Sequence, residues 1–443
     1  MPRLPLCRGA VVAVGALAAL VAACGGSPGP TVDAAQTPPA ANPGREVLDT
    51  GLVIDYAGMT GVATVTLGPS TSAGGALEAE GLMIDSVTVH GAPIQFTPGT
   101  TLLLGLDPSD QPTPVVIAYH WMDHESFMGA SSKGYTLDWP YYCGNIFPCH
   151  SQPSDGTTFS LELDNVPAGQ QAIYPTVIPA QAPAYQLAWS IDQYTQLDLG
   201  TTPAGTLISV WYRPGEMASA MTGTQHLVAA FDWLESTLGP YRFGPHYGSV
   251  SVKWGPGQFG GMEHHPFVHI GSIAIGDEET NVHESAHGWF GDGIRLKCWE
   301  DFVLSEGTVS YLAARALDVV APTVGASVWM TYQTELAAVK GTDPVWPQSC
   351  GAVDVIKDNL FTEAPYMRGA FFYKGIADNP MVGAAKLDQA LAAFYAAHAG
   401  GAATMADMLA TIQQVTGYDP TACAQTWLLD TTSATPPTPG PCP

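Results

Sequence analysis

Two histidines and a glutamate in one short segment have the residue types and spacing of a metal centre. The segment is His283-Glu284-Ser285-Ala286-His287. Residues four apart lie on the same face of a helix, so both imidazoles can reach one ion. Zn²⁺ accepts neutral imidazole nitrogens, and a catalytic zinc site has three protein ligands and one open position. Glu284 can take a proton from a water held at that position, so the segment predicts metal-assisted hydrolysis.

A third ligand follows further along the chain. Eighteen residues separate His287 from Glu306. Glu306 would begin a second helix that packs against the first and brings its carboxylate to the ion. The pentapeptide together with an acid at this position arises by chance much less often than the pentapeptide alone. The spacing therefore predicts one zinc ion bound by His283, His287 and Glu306.

The first 23 residues have the pattern of a lipoprotein signal peptide. Arg3 and Arg8 precede an apolar run, Gly9–Ala23, which is shorter than the roughly 20 residues of a permanent transmembrane helix. The run ends before Cys24, whose thiol would carry the lipid. The alternative is an ordinary signal peptide with a chance cysteine. Both interpretations predict export, and the lipoprotein interpretation predicts a place in the cell envelope. Residues 24–46 are rich in Pro and Gly and predict a flexible tether.

The charge balance limits the partners of the exported chain. Removal of Arg3 and Arg8 leaves 13 basic against 40 acidic groups, a formal net charge of −27. Such a surface repels nucleic acid and anionic membranes. We therefore expect peptide substrates, no nucleic acid, and membrane attachment only through Cys24. The oligomeric state stays open.

Six cysteines remain after the signal peptide and Cys24, and an even number in an exported chain predicts disulfide bonds. Six cysteines allow 15 pairings. Sequence proximity favours three pairs: Cys143 with Cys149, Cys298 with Cys350, and Cys423 with Cys442. A cysteine zinc site is not expected, because the sequence contains no Cys-x-x-Cys segment.

The hydrophobic periodicity changes near the middle of the chain. Residues 47–207 alternate with a period of two between Gly- and Pro-rich turns, which predicts an antiparallel β-sandwich or saddle domain. Residues 208–430 form a second, mostly helical domain, and the Pro- and Thr-rich residues 431–443 form an irregular tail. The apolar stripes predict helices at 278–290, 304–320, 327–340, 384–399 and 404–416.

The segment His283–Leu312 resembles the zinc-binding region of the aminopeptidase N-like gluzincin family. There, a His-Glu-x-x-His helix is followed by Trp-Phe-Gly and by an Asn-Glu-Gly-like turn, here Ser305-Glu306-Gly307. The resemblance implies the same three zinc ligands, with Glu284 as general base, and a thermolysin-like α+β catalytic domain at 208–430. It covers nearly the whole mature chain. The large C-terminal helical domain of full-length members has no counterpart here, so we expect an open cleft.

An upstream motif extends the resemblance. Gly260-Gly261-Met262-Glu263-His264 is similar to the family's Gly-x-Met-Glu-Asn edge strand. The resemblance implies that Glu263 binds the free amino group of the substrate and that the backbone of the three preceding residues pairs with the peptide. A carboxylate suits this role because it accepts a charge-assisted hydrogen bond from an ammonium group.

A downstream motif supplies an oxyanion donor. Pro365–Ala370 is similar to the family's Tyr-x-Lys-Gly segment, which implies that Tyr366 donates a hydrogen bond to the tetrahedral intermediate. Tyr373 also precedes a Lys-Gly pair and is the weaker candidate.

These motifs predict an exported zinc aminopeptidase. The residues alone predict metal-assisted hydrolysis, whereas removal of N-terminal residues is implied by the resemblance. Three positions depart from the family: His264 replaces an Asn, and Trp139–Tyr142 contains no clear counterpart of the β-domain Glu or Gln that helps hold the amine. The third is Ala313, seven residues after Glu306, where many members carry an acid. The alternatives are a zinc endopeptidase with an open cleft and a non-catalytic, peptide-binding surface lipoprotein.

Overall fold

The computed structural model describes residues 37–443 except 125–127, 132, 256–258 and 352. The predicted signal peptide, Cys24 and most of the predicted tether lie outside the described residues. Within the described ranges, no helix combines the length and the apolar character needed to cross a bilayer. Residues Pro39–Pro443 form one compact unit.

The period-two pattern of the first half folds into three sheets. Their strands are β1 Val47–Asp55, β2 Thr60–Leu67, β3 Gly75–Glu78, β4 Leu82–Val89, β5 Ala92–Pro93, β6 Phe96–Thr97, β7 Thr101–Leu104, β8 Thr113–Trp121, β9 Gly129–Ser131, β10 Tyr135–Leu137, β11 Thr157–Asp164, β12 Gln171–Ile173, β13 Val177–Ala182 and β14 Ser190–Asp192. The strand orders are β13-β11-β1-β2-β8-β4-β5, β3-β7-β6 and β12-β14-β10-β9. Alternate residues of β8 are buried, as expected for a sheet with one face on a core. The prediction of antiparallel strands fails at one pair, because β1 lies parallel to β11.

The range predicted for the tether, residues 24–46, includes Arg45, which belongs to the folded domain. The Arg45 side chain is buried, and its guanidinium donates hydrogen bonds to the carbonyl oxygens of Gly68 at 2.9 Å and Gly74 at 3.2 Å. A buried charge is unfavourable without such partners. These hydrogen bonds attach the residues before β1 to the sheet.

The second half combines one mixed sheet with helices. Its elements are β15 Thr195–Thr201, β16 Leu207–Tyr212, α1 Met217–Gly223, α2 Leu227–Leu238, β17 His246–Val252, β18 Gly261–Met262, β19 Phe267–Gly271, α3 Glu278–Ala286, β20 Arg295–Leu296, α4 Phe302–Val320, α5 Pro322–Ala338, α6 Glu363–Ala377, α7 Ala384–His398, β21 Ala402–Ala403, α8 Met405–Thr416 and α9 Thr421–Ala424. The sheet order is β15-β16-β17-β19-β18. The predicted domain boundary at 207/208 divides the antiparallel pair β15–β16, so the structure places the change of sheet earlier, before Thr195.

The sequence missed helix α6. The five helices predicted for 278–416 correspond to α3, α4, α5, α7 and α8, and their ends differ from the prediction by a few residues. Most residues of α6 are buried, including Phe371, Phe372 and Tyr373. A helix buried on most sides has no apolar stripe against a polar face, so the 3.6-residue period is weak.

Two hydrophobic cores form inside the compact unit, one in each half of the chain. Trp139 comes from the N-terminal half but belongs to the second core, where its ring centroid lies 6.0 Å from that of Phe302 on α4. The three favoured cysteine pairs are bonded: Cys143–Cys149, Cys298–Cys350 and Cys423–Cys442.

Candidate zinc centre and substrate cleft

Helix α3 places the two histidines one turn apart. Asp277 begins the helix, and its carboxylate accepts a hydrogen bond from the backbone N–H of Glu279 at 3.3 Å. Such caps satisfy one of the free N–H groups at a helix start. His283 lies inside the helix and His287 directly follows it, with ring centroids 5.1 Å apart. The local sequence therefore sets the spacing of these two side chains.

The third predicted ligand meets both histidines from helix α4. Glu306 Oε2 lies 3.2 Å from His283 Nε2 and 3.4 Å from His287 Nε2. Ligand atoms about 2.1 Å from a tetrahedral zinc ion lie about 3.4 Å from one another. The three side chains thus have the chemistry and the spacing of a zinc site.

The remaining nitrogen of each imidazole has a partner that fixes the ring. His283 Nδ1 lies 3.6 Å from a Glu279 oxygen, and His287 Nδ1 lies 3.1 Å from the Phe290 carbonyl oxygen and 3.3 Å from Ser305 Oγ. Partners of this kind orient zinc-binding histidines and raise their basicity. The sequence analysis did not single out Glu279, although its i,i+4 spacing from His283 was a usable signal.

The charges of the ligand groups depend on one another. Burial opposes charge on Glu306, but His287 and His283 outweigh it and lower the pKa of this carboxyl to about 2. Burial likewise opposes charge on His287, but the Glu306 carboxylate raises the pKa of the imidazole to about 9. A metal ion that binds here therefore has to displace protons from the histidines.

Glu284 lies beside this centre, and a glycine makes room for it. Its carboxylate is within 4.8 Å of both the Glu263 carboxylate and His287. A Cβ atom on Gly261 would lie only 2.3 Å from Glu284 Oε1. Burial raises the pKa of Glu284 to about 8, although His283 and His287 oppose this shift. His265 Nε2 lies 2.9 Å from the Glu284 carbonyl oxygen, a contact that the sequence did not indicate.

Strand β18 is at the edge of its sheet, as the resemblance implied. Gly261 and Met262 pair with β19 on one side, and β18 ends the strand order on the other. An open edge of this kind can pair with the backbone of an extended peptide. Glu263 follows the strand and is 5% exposed, and burial raises the pKa of its carboxyl.

A close helix crossing brings Tyr366 to the same centre. A Cβ on Gly307 would lie 2.7 Å from Gly369 Cα, so the two glycines let α4 and α6 approach closely. Glu306 and Tyr366 therefore reach one place, and the Tyr366 ring stacks on His283 with centroids 6.1 Å apart. The rival Tyr373 is buried in the core, where its hydroxyl accepts a hydrogen bond from Thr308 Oγ1 at 2.8 Å.

All nine residues singled out as ligands, catalytic groups or substrate-binding groups line one cleft of about 530 Å³: Gly260, Gly261, Met262, Glu263, His283, Glu284, His287, Glu306 and Tyr366. Trp139 forms part of its wall, so the segment without a family counterpart still contributes to the site. Further carboxylates also line it, and the sequence analysis did not connect them with the site: Asp277, Glu279, Glu335 and Glu363.

Fold and site together define a zinc metallopeptidase architecture, and the comparisons with known proteins agree. Residues 277–427 match the peptidase family M1 domain. Leucine aminopeptidase 2 of Neurospora crassa is 24% identical over 260 residues, which are 52% of this chain and 37% of that protein. Aminopeptidase N of Streptomyces lividans is 24% identical over 156 residues, 34% of this chain and 18% of that protein. The matches thus span less than half the length of these relatives.

Solved structures share the fold. An M1 zinc metallopeptidase from Deinococcus radiodurans superposes with a TM-score of 0.75 at 19% identity, covering 89% of this chain and 95% of that one. Legionella pneumophila aminopeptidase A gives a TM-score of 0.74 at 16% identity, covering 87% of this chain and 50% of that one. The domain match at residues 277–427 and the shared fold agree with the resemblance to the aminopeptidase N-like gluzincins and with a site for one zinc ion.

Proposed function

We propose that this protein is a zinc aminopeptidase that removes N-terminal residues from peptides. One observation carries the proposal: ligand atoms of His283, His287 and Glu306 converge, and the carboxylates of Glu284 and Glu263 lie beside them. Metal, base and a buried acceptor for an ammonium group are what hydrolysis at a free N-terminus requires.

Each side chain of the site has a role that follows from its position. Glu284 takes a proton from the attacking water and passes it to the leaving amine. Tyr366 donates a hydrogen bond to the oxyanion, and Glu263 accepts hydrogen bonds from the substrate ammonium. The edge of β18 aligns the peptide backbone. A bound zinc ion supplies Lewis-acid polarisation of the carbonyl.

The test uses aminoacyl reporters and their N-acetylated counterparts, with wild-type and Glu284→Gln protein of measured zinc content. We expect cleavage of the free reporters only, and a loss of about 10²–10⁴-fold in kcat in the variant, the usual contribution of a general base. The variant should keep its zinc, because Glu284 is not among the three proposed ligands.

Two other results would replace the proposal. Equal cleavage of blocked and free peptides would mean an endopeptidase and would remove Glu263 from its role as an anchor. A folded, zinc-loaded wild-type protein that cleaves neither set but binds peptides would be a binding protein.

We also propose that the protein is a cell-envelope lipoprotein anchored through Cys24. The support is the apolar run before Cys24 and the three disulfide bonds, which persist in oxidising compartments. Labelled palmitate should be incorporated into the wild-type protein in cells and not into Cys24→Ala. Equal labelling of the two would exclude Cys24 as the anchor.

A further inference from the structure

The cleft contains a second group of carboxylates, which lies next to His283 and not next to Glu284 and His287 as Glu263 does. Glu263 lies near His287 and Glu284, within 4.8 Å of each. Glu279 instead lies 3.6 Å from Nδ1 of His283. Asp277, Glu335 and Glu363 also line the cleft, and the charges of Asp277, Glu279 and Glu363 all act on Glu335. We call these four residues the acidic end of the cleft.

Two of the four carboxylates have structural partners. Asp277 caps α3 and accepts a hydrogen bond from Thr280 Oγ1 at 2.9 Å. Glu279 contacts His283 and accepts a hydrogen bond from the Tyr332 hydroxyl. These interactions explain Asp277 and Glu279 without any ligand.

The other two carboxylates, of Glu335 and Glu363, have no hydrogen bond or ion pair with any residue that the structure describes. Glu335 lies three residues after Tyr332 on α5, so both side chains share the helix face toward the cleft. Burial and the negative charges of Glu363, Glu279 and Asp277 raise the pKa of Glu335 to about 7. Like charges therefore crowd together here without a cation between them.

A buried hydroxyl at the same place also lacks a partner. Ser310 is 1% exposed and lines the cleft, yet its Oγ makes no hydrogen bond with the described part of the chain. The Ser310 carbonyl oxygen accepts a hydrogen bond from Tyr332 at 3.3 Å, which places the residue beside Glu279. A buried polar atom without a partner is unfavourable unless a ligand or water supplies one.

The described residues that line the cleft include neither Lys nor Arg, so the only positive groups near these carboxylates are the metal-site histidines and the ion that they would bind. We propose that the acidic end binds a Lys or Arg side chain of the substrate, on the leaving-group side of the cleaved bond. Glu335 and Glu363 would bind the cation, and Ser310 Oγ would take a hydrogen bond from it. This inference rests on the proposed aminopeptidase function.

The direction of the peptide follows from the two ends. The N-terminal ammonium is held at Glu263, and the cleaved bond lies at Glu284 and the metal ligands. The chain beyond that bond therefore continues past His283, toward Glu335 and Glu363. The favoured substrates are peptides with a free N-terminus and Lys or Arg at the second or third position.

The test compares kcat/KM for the tripeptides Ala-X-Ala and Ala-Ala-X, where X is Lys, Gln or Glu. Each partly exposed ion pair contributes a modest amount, so two should favour Lys over Glu about tenfold in at least one series. Glu335→Gln combined with Glu363→Gln should reduce this ratio about fivefold. Glu162→Gln combined with Asp164→Asn removes the same two charges at exposed positions of β11 and should keep the wild-type ratio.

A binding measurement separates this inference from the proposed function. The same peptides are titrated into zinc-loaded Glu284→Gln protein, where no turnover is needed. Tighter binding of the Lys peptides, lost in the protein that also carries the Glu335 and Glu363 changes, supports the inference even if wild-type protein hydrolyses nothing. Efficient hydrolysis with equal kcat/KM and equal affinity for Lys, Gln and Glu peptides overturns it and leaves the aminopeptidase proposal intact.

Discussion

The two ends of the cleft both bear carboxylates, but they hold them in different surroundings. At one end the carboxylate of Glu263 is 5% exposed and follows an edge strand. At the acidic end Glu335 is half-buried and Glu363 is exposed. Charge interactions are stronger and less screened where water is excluded. The Glu263 end should therefore act as a strict requirement, whereas the acidic end should act as a graded preference.

The largest effect is expected between the two ends, at the oxyanion donor. Tyr366→Phe removes the hydroxyl that lines the cleft and should lower kcat about 10²–10³-fold, the usual loss for one such donor. Steady-state kinetics on a free aminoacyl reporter measures it. Tyr373→Phe, on the same helix, loses the hydrogen bonds of a buried hydroxyl with Thr308 Oγ1 and Met405 Sδ and should cost about 1 kcal/mol of stability with kcat retained. A large loss of kcat in Tyr373→Phe, with kcat retained in Tyr366→Phe, would show that Tyr373 and not Tyr366 is the oxyanion donor.

The next largest effect tests the Glu263 end of the cleft. Glu263→Gln replaces a charged acceptor by a neutral one and should lower kcat/KM for free N-termini about 10–100-fold. Thermal unfolding should not shift downward, because the change removes a buried charge whose pKa is already raised by its burial. Unchanged kcat/KM for free reporters would show that the ammonium binds elsewhere.

A smaller effect concerns the glycine that faces the base. Gly261→Ala places a Cβ 2.3 Å from Glu284 Oε1, so the base has to move, and we expect a loss of about tenfold in kcat. Gly260→Ala is the matched control, since its Cβ would meet no atom closer than 3.4 Å and should cost much less. Equal losses in the two variants would mean that the displaced group is not Glu284.

The smallest predicted effect distinguishes the two ends of the cleft by how strongly salt screens their charges. Raising the ionic strength from about 0.1 M to 1 M shortens the Debye length from about 10 Å to about 3 Å. The preference for Lys over Glu peptides should fall severalfold, because Glu335 and Glu363 are accessible to solvent. Discrimination between free and acetylated reporters should hardly change, because Glu263 is buried. Equal salt dependence of both ratios would contradict the contrast between the ends.

The sequence by itself predicted that the three candidate zinc ligands meet, because their spacing is local. His283 and His287 are separated by one helical turn, and Glu306 lies at the start of the next helix, so short-range geometry nearly fixes their meeting. The period-two strands of the N-terminal half and the pairs Cys143–Cys149 and Cys423–Cys442 were predictable for the same reason, whereas Cys298–Cys350 followed only as the remaining pair. The parallel pairing of β1 with β11 was not, because it joins strands about a hundred residues apart.

Only the tertiary structure decided what surrounds the metal. Helix α6 escaped prediction because burial on most sides removes its amphipathic pattern. The resemblance favoured Tyr366 over Tyr373, but only the fold places Tyr366 against His283 and Tyr373 against Thr308 in the core. The acidic end draws residues from α3, α5 and α6, which no sequence spacing relates. Those carboxylates come together because the apolar faces of the helices pack, and packing is a property of the whole fold.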